Sequence, residues 1–203
     1  MPSDLRHVEF DGRLSNACEI YSRDLEQLNR LRILTLTRFA KLKRLSNEVG
    51  DQLNGLQELT LSCCESIEEL PLSSSSLKLR ILRVNHCSNL THLRKDFELL
   101  DSLEELNLQG CTNIKELPSS FGLLNSLQEL NLQGCTNLKE LPSRFGSLNA
   151  LQELNMQGCT NLKDLPGSFE KLSSLISLDL SSCEKLSKLS HSIGYLHHSL
   201  TYL

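Results

Sequence analysis

The chain has 203 residues and a formal net charge of -4. No basic stripe interleaved with aromatic residues accompanies this mild charge, which argues against nucleic acid as the main partner. No apolar run approaches the roughly 18 residues that suggest a membrane-spanning helix, and the first ten residues lack the apolar core of a signal peptide. We therefore expect a soluble chain in the cytoplasm or nucleus, with neither a membrane nor a nucleic acid as its partner.

A 24-residue unit is written three times in succession, with few changes, between positions 103 and 174. The second copy reads LQELNLQGCTNLKELPSRFGSLNA from Leu127. The other close copies begin at Leu103 and Leu151, and looser copies begin at Leu31, Leu56, Leu79 and Leu175. A fixed period of this length predicts a solenoid in which each repeat is one coil. We interpret residues 1–203 as a single domain of about eight coils: a degenerate first coil (1–30), regular coils (31–199) and a truncated coil (200–203).

Each unit opens with L-x-x-L-x-L, where apolar and polar residues alternate. This period of two is typical of a half-buried strand. One strand per coil, stacked in parallel at about 4.8 Å, gives an α/β solenoid with a parallel sheet on its concave face. The predicted strands lie near residues 33–36, 58–61, 81–84, 105–108, 129–132, 153–156 and 177–180.

The second half of the unit, L-K-E-L-P-S-x-F-G-x-L, predicts a short 3-10 or single-turn helix on the convex face. Pro118 and Pro142 precede this segment, where a helix start needs no amide donor. We expect four phenylalanines to stack there as an apolar spine: Phe97, Phe121, Phe145 and Phe169.

The two ends of the chain follow the pattern less closely. In the worn first coil, Leu5, Val8 and Phe10 hold the inward-facing positions. Solenoid coils bury their faces only against neighbouring coils, so we expect exposed apolar residues near Leu5 and near Leu200.

Six of the eight cysteines occupy one position, eight residues after the opening leucine. They are Cys64, Cys87, Cys111, Cys135, Cys159 and Cys183. A thiol is small, often buried and a weak donor, so this ladder is interpreted as a structural element that bonds the backbone of the turn after the strand. Disulfides and zinc are disfavoured because the cysteines form one ladder without a C-x-x-C pair, and unpaired thiols fit a reducing compartment.

No motif typical of catalysis or of cofactor binding occurs in the chain. The Walker A, dinucleotide-binding, H-E-x-x-H and G-x-S-x-G patterns are all missing. His197 and His198 are interpreted as a solvated turn, and the single glycosylation sequon at Asn89 is weak evidence for secretion. The sequence therefore predicts a chain that is not an enzyme and has no cofactor or metal.

The combined motifs resemble a known family. Together, L-x-x-L-x-L-x-x-C and L-P-x-x-F-G are similar to the leucine-rich repeats of plant nucleotide-binding disease-resistance proteins, especially those with a Toll/interleukin-receptor domain. The resemblance runs from about Leu31 to Leu196 and implies a leucine-rich repeat horseshoe that senses a pathogen-derived or host protein and restrains a nucleotide switch. The switch and signalling domains of that family are missing from this chain, so it is either a fragment or a stand-alone repeat protein.

The concave face decides what such a solenoid binds. Positions two, four and six after the opening leucine point away from the core, and in the three close copies they repeat as Glu, Asn and Gln. Because identical coils offer three equivalent registers, the more distinctive positions lie N-terminal to them, where Arg83 makes a charge step beside Glu105. The candidate partner-binding residues are Ile33, Thr35, Thr37, Ile81, Arg83, Asn85, Glu105, Asn107, Gln109, Glu129, Asn131, Gln133, Glu153, Asn155 and Gln157.

Two hypotheses of function follow. In the first, the chain is a non-catalytic recognition module of immune-receptor type, whose partner is an effector, a host target or a nucleotide-binding switch domain. The alternative is a scaffold or substrate adaptor, for example for a ubiquitin ligase. A P-loop domain upstream of Met1 would favour the first hypothesis, and an F-box there would favour the second.

Overall fold

The structure is a computed structural model, and it describes residues 5–17, 19–20, 30–45, 55–70, 78–93 and 95–186. Eight parallel strands form one sheet, in which each strand pairs with the equivalent strand of the next coil. Within the described residues the strands are, in chain order, β1 His7–Asp11, β2 Glu19–Ile20, β3 Ile33–Thr37, β4 Arg44–Leu45, β5 Glu58–Ser62, β6 Ile81–Asn85, β7 Glu105–Asn107, β8 Glu129–Asn131, β9 Glu153–Asn155 and β10 Ser177–Asp179. All except β2 and β4 belong to the large sheet.

The alternation of residues along each strand sets the register of this sheet. In β3, Leu34 and Leu36 are buried while their neighbours are half-buried, and β5 and β6 repeat this pattern. Leu106 lies opposite Leu130, which lies opposite Leu154, so like residues meet across every boundary between the close copies. The parallel solenoid and its seven predicted strands are confirmed, with bounds that differ from the prediction by one residue.

A second line of pairing runs along the solenoid, which the prediction of one strand per coil did not include. The short strands β2 and β4 pair in parallel in a separate two-stranded sheet. Farther along, the amide of Lys139 donates to the carbonyl of Lys115 at 3.2 Å, and the amide of Lys163 donates to the carbonyl of Lys139 at 3.2 Å. These lysines hold the equivalent place in successive coils, so each coil contacts the next at two separated lines of backbone.

Short 3-10 helices occupy the second half of the described coils, as the sequence predicts, and a proline precedes all of these helices except the first. They span Lys95–Leu99, Ser119–Leu123, Phe145–Ser147 and Gly167–Lys171. The rings of Phe97, Phe121, Phe145 and Phe169 stack in one column, with centroid separations of 6.2, 6.2 and 6.0 Å. The apolar spine is therefore confirmed, and it joins the leucine core in a single cluster of buried residues.

The first coil keeps the inward register predicted for it, but its apolar residues are not fully buried. Although β1 pairs with β3 along its whole length, Phe10 is 40% exposed, Leu5 is 36% exposed and Val8 is half-buried. Val8 and Phe10 lie opposite the buried Leu34 and Leu36, as the predicted register requires. They stay partly exposed because β1 is the edge strand of the described sheet and no other described coil covers it. The predicted exposure of apolar residues at this end is found, whereas Leu200 and the two histidines at 197–198 lie outside the described residues.

Candidate functional site

The exposed face of the large sheet, called here the sheet face, presents three rows of half-buried or exposed side chains. The rows are positions two, four and six of the coils, which alternate with the buried leucines of each strand. The first row contains Ile33, Ile81, Glu105, Glu129 and Glu153; the second contains Thr35, Arg83, Asn107, Asn131 and Asn155; the third contains Thr37, Asn85, Gln109, Gln133 and Gln157. The structure therefore brings all the sequence-predicted partner-binding positions onto one continuous surface.

The asparagines of the second row also have a structural task. The side-chain oxygen of Asn107 accepts a hydrogen bond from the amide of Gln109 at 3.0 Å, and Asn131 and Asn155 accept equivalent bonds at 2.9 Å. Such an Asx turn satisfies a backbone donor where the strand ends. The sequence analysis assigned these asparagines to a partner alone and missed this turn, which the recurring Asn two residues before Gln could have signalled.

The third row is joined along the solenoid. The side-chain Nε2 of Gln133 donates to the side-chain Oε1 of Gln157 at 2.6 Å. One residue beyond this row, the chain turns through a left-handed conformation at Gly110, Gly134 and Gly158, with φ of 71°, 70° and 72°. Glycine adopts this conformation without the penalty that a Cβ brings, so the close copies leave the sheet at low cost.

Arg83 stands at the junction between the irregular coils and the close copies. Its guanidinium donates two hydrogen bonds to Glu105, at 2.7 and 2.6 Å, in a fork that matches both carboxylate oxygens. A second carboxylate, Glu58, lies 4.0 Å away on the other side. The charge step predicted from the sequence is thus a bidentate ion pair that occupies the first carboxylate of the glutamate row.

The remaining carboxylates of that row, Glu129 and Glu153, lie on adjacent strands and make no ion pair with any described residue. Partial burial raises the pKa of Glu129, and repulsion from Glu105 and Glu153 raises it further. A shallow hollow of about 290 Å³ runs along these carboxylates and the neighbouring asparagines as far as Asp179. The sheet face therefore carries a strip of negative charge, at Glu129 and Glu153, with which no described residue forms an ion pair.

Replacing Glu129 with glutamine should make the fold slightly more stable at neutral pH. A carboxyl whose pKa is raised on folding favours the folded state in acid, and this contribution is lost as the pH rises through the raised pKa. The gain should stay below about 1 kcal/mol because solvent screens exposed charges. Urea unfolding at pH 7 and pH 3 checks this, because the difference in stability between variant and parent should vanish at pH 3. The control is Glu140→Gln, which removes a charge outside the row and should leave stability unchanged at both pH values. A destabilised Glu129→Gln at pH 7 would contradict the account.

The N-terminal part of the sheet face contains a polar atom without a partner. The oxygen of the Asn85 side chain is buried without a hydrogen-bond partner in the described structure. Next to it, His86 holds a left-handed conformation with φ of 55°, and its ring lies over Gly110, where a Cβ would come within 2.4 Å of Nδ1. The glycine thus provides the space that the histidine ring occupies.

The cysteine ladder lies under the turns that follow the strands. Each thiol donates to a carbonyl of the preceding coil: Cys111 to Val84 at 3.0 Å, Cys135 to Leu108 at 3.3 Å and Cys159 to Leu132 at 3.2 Å. The other three donate in the same way, Cys64 to Leu36, Cys87 to Leu61 and Cys183 to Met156. Burial raises the pKa of Cys111 to about 11 and that of Cys159 to about 12. The ladder therefore ties each coil to the one before it, and its position makes it a structural rather than a partner-binding element.

Substitutions at Cys135 should separate the hydrogen bond from the packing. Serine should be tolerated because its hydroxyl can donate to the Leu108 carbonyl, whereas leucine should overpack this fully buried site and cost about 1–3 kcal/mol. Unfolding curves of both variants test the order. In the native parent, a thiol reagent should leave Cys111, Cys135 and Cys159 unlabelled and label them after denaturation, because burial raises their pKa and disfavours the reactive thiolate. Rapid labelling of the whole ladder in the native protein would refute the assignment.

A second surface was not foreseen from the sequence. A groove of about 1890 Å³, called here the lateral groove, extends from Glu69 to Gly167 along the line of Lys115, Lys139 and Lys163. Its lining comes from the L-K-E-L-P-S part of successive coils, which alternation of apolar residues could not identify as a surface. The signal that could have found this surface was the pair of a lysine and an acidic residue that recurs every 24 residues.

The comparisons with known proteins bear on the whole solenoid. A family model described as a leucine-rich repeat region matches residues 79–201. The chain belongs to the leucine-rich repeat family. Its repeat domain is similar to that of the type III effector XopL, with 25% identity, a TM-score of 0.59, and coverage of 91% of this chain and 74% of that one. The fold also matches a leucine-rich repeat protein of Leptospira interrogans, with 23% identity, a TM-score of 0.54, and coverage of 100% and 66%. No curated protein matches the sequence closely enough to count as a relative.

Leucine-rich repeat domains commonly bind other proteins, and their fold is generally a scaffold without catalysis. One polar cluster of this leucine-rich repeat chain superficially resembles a catalytic triad. Thr91 Oγ1 lies 2.8 Å from His92 Nδ1, while His92 Nε2 lies 3.8 Å from Glu69. The second distance is too long for a hydrogen bond, and the histidine and glutamate are more than half exposed, so the cluster lacks the fixed geometry that general base catalysis requires.

Two further findings concern the described part of this leucine-rich repeat chain. None of its helices combines the length and the apolar character needed to cross a membrane. No cluster of three or more histidine, cysteine or acidic side chains within it is arranged to hold a metal ion.

Proposed function

We propose that this leucine-rich repeat chain is a non-catalytic protein-recognition module whose partner docks on the sheet face. The observation that carries the proposal is the acidic strip formed by Glu129 and Glu153 beside the bidentate pair of Arg83 and Glu105. Burial and the neighbouring carboxylates both disfavour the charged form of Glu129. A basic side chain from a partner would stabilise that charge. Positive charge on the partner therefore complements this face.

The position of Arg83 helps to fix where that partner lies. Three identical coils offer three equivalent registers, but Arg83 already occupies the carboxylate of the first one. A partner arginine can adopt the same forked contact with Glu129 or Glu153 only. Arg83 thus distinguishes the first of the three close copies from the other two on an otherwise repetitive surface.

Binding of a fluorescein-labelled peptide that contains two arginines among serines tests this arrangement. Glu153→Gln should weaken binding about threefold, as expected for one partly exposed ion pair. Arg83→Ala should strengthen it by a similar factor because Glu105 becomes available. Glu170→Gln serves as the control, since Glu170 is exposed and lines neither the sheet face nor the lateral groove. Equal binding by all four proteins would refute docking at the acidic strip.

Within this class, we assign the chain to the ligand-sensing or autoinhibitory repeats of intracellular plant immune receptors. The support is the resemblance of its cysteine ladder and L-P-x-x-F-G segments to the repeats of that family. Buried, unpaired thiols fit a cytoplasmic or nuclear location, where thiols stay reduced. The partner is then an effector, a host target or a nucleotide-binding switch domain.

The transcript that encodes this chain gives the decisive test. An upstream P-loop domain would support the receptor assignment, and co-expression of that domain with residues 1–203 should yield a complex whose stability falls at high ionic strength. An upstream F-box would overturn the receptor assignment and identify the chain as a substrate adaptor instead.

A further inference from the structure

The lateral groove has dimensions that suit a polymer and not a small molecule. Its volume of about 1890 Å³ exceeds the roughly 300–1,000 Å³ of small-molecule pockets. It also extends over successive coils, and the same segment of each repeat lines it. An elongated ligand that follows the solenoid axis fits this shape.

The lining of the groove consists of three kinds of repeated side chain. Exposed lysines form one row and exposed carboxylates form another: Lys115, Lys139 and Lys163, and Glu116, Glu140 and Asp164. None of these six charges forms an ion pair within 4.0 Å with any other described residue, in contrast to the arginine pairs of the sheet face. Both signs of charge are therefore available to a partner along the same groove.

The third kind of lining is apolar. Leu117 and Leu141 are each 5% exposed at the groove, whereas most core leucines of the same coils are sealed. Pro118, which follows Leu117, and the equivalent Pro166 hold extended conformations, with φ and ψ of -61° and 148° and of -65° and 150°. These residues give the groove an apolar bed between its charged groups.

The spacing of the coils selects the conformation of the ligand. Hydrogen bonds of 3.2 Å join the backbone at the successive lysines, so equivalent residues are separated by the roughly 4.8 Å of a parallel ladder. Polyproline II rises about 3.1 Å per residue, and its three-residue turn of about 9.3 Å matches two coils at about 9.6 Å. In a β-strand, side chains on one face repeat every 6.8 Å or so, which falls out of step with the coils.

We propose that the lateral groove is a second protein-binding site, which takes an extended polyproline II segment with a three-residue repeat of one acidic, one basic and one proline residue. Polyproline II presents three rows of side chains, and the groove offers three kinds of lining. The acidic row of the segment contacts the lysines, its basic row contacts the carboxylates, and its prolines lie on the leucines and prolines of the bed. A preformed conformation also reduces the entropy lost on binding.

Synthetic peptides test this site with the complete chain. The probes are fluorescein-labelled (Glu-Lys-Pro)₄ and (Lys-Glu-Pro)₄, which differ in the order of the charges, and a scrambled peptide of the same composition. One of the two periodic peptides should bind at least tenfold more tightly than the scrambled one, and its binding should shift amide resonances of residues 115–117 and 139–141. Equal affinities for all three peptides, or shifts confined to the sheet face, would overturn the proposal.

A pair of variants links the affinity to the groove. Lys139→Glu combined with Glu140→Lys keeps the net charge but reverses the local order, and it should weaken the preferred peptide at least fivefold. Glu153→Gln, which lies on the sheet face, should leave that affinity unchanged. An unaffected double variant with a native circular dichroism spectrum would also overturn the proposal, and this result would leave docking on the sheet face untouched.

Discussion

Replacing Phe145 with alanine should lower the free energy of unfolding by about 3–5 kcal/mol. The ring is fully buried and lies between Phe121 and Phe169, at centroid distances of 6.2 and 6.0 Å. Alanine removes both stacking contacts and leaves a cavity between two 3-10 helices that cannot close without moving the coils. Urea unfolding followed by circular dichroism measures the loss, since the chain has no tryptophan.

Phe97→Ala is the matched control for this variant. Within the described structure Phe97 stacks on one ring only, Phe121, and it is slightly exposed. Its replacement should therefore cost less than that of Phe145. If Phe97→Ala proves equally or more destabilising, the interior position of Phe145 in the column is not what makes the ring important.

Gly146→Ala should destabilise the chain by about 3 kcal/mol, at the upper end of the cost of overpacking. A Cβ at this position would lie 1.8 Å from the carbonyl oxygen of Ser168, and backbone cannot rotate away as a flexible side chain can. The amide of Gly146 also donates to the Ser168 hydroxyl at 3.1 Å, a bond that any shift of the two coils would break. The same unfolding experiment applies.

Gly167→Ala distinguishes this crowding from the general effect of losing a glycine. No atom lies within 4 Å of a Cβ built at Gly167, so its substitution should be neutral or stabilising by about 0.4–1 kcal/mol through the unfolded chain. Similar losses for the two variants would mean that coil-to-coil contact at Gly146 is looser than the structure indicates.

The strands could be predicted because their pattern is local. Alternation in each unit placed β7, β8 and β9 to within a residue, and the recurrence of phenylalanine every 24 residues predicted the stacked column. How far Phe10 is exposed could not be predicted in this way. Its alternating pattern is the same as that of a buried strand. Whether such a residue is buried depends on the presence of a neighbouring coil.

The candidate site was predicted less completely than the fold. The sequence located the three rows of the sheet face and the step from Arg83 to Glu105. The Asx turn at Asn107 was missed, although the recurring Asn two residues before Gln could have signalled it. The lateral groove was missed because its segment, L-K-E-L-P-S, does not alternate apolar and polar residues with a period of two. Hydrogen bonds between coils, such as that from Lys139 to Lys115, depend on stacking and have no signature within one unit.

The equivalence of contacts across coil boundaries has a consequence for how the gene can change. The thiol of Cys135 reaches back to Leu108 at 3.3 Å and that of Cys159 to Leu132 at 3.2 Å, and leucine faces leucine at both boundaries. Excising residues 127–150 would therefore bring together two surfaces that already fit, and duplicating them would do the same. Unequal recombination can thus lengthen or shorten the molecule by whole units without a repair mutation elsewhere. Such a change would move the C-terminal coils by one step relative to Arg83, so a single crossover would alter the distance between recognition elements while leaving the interior intact.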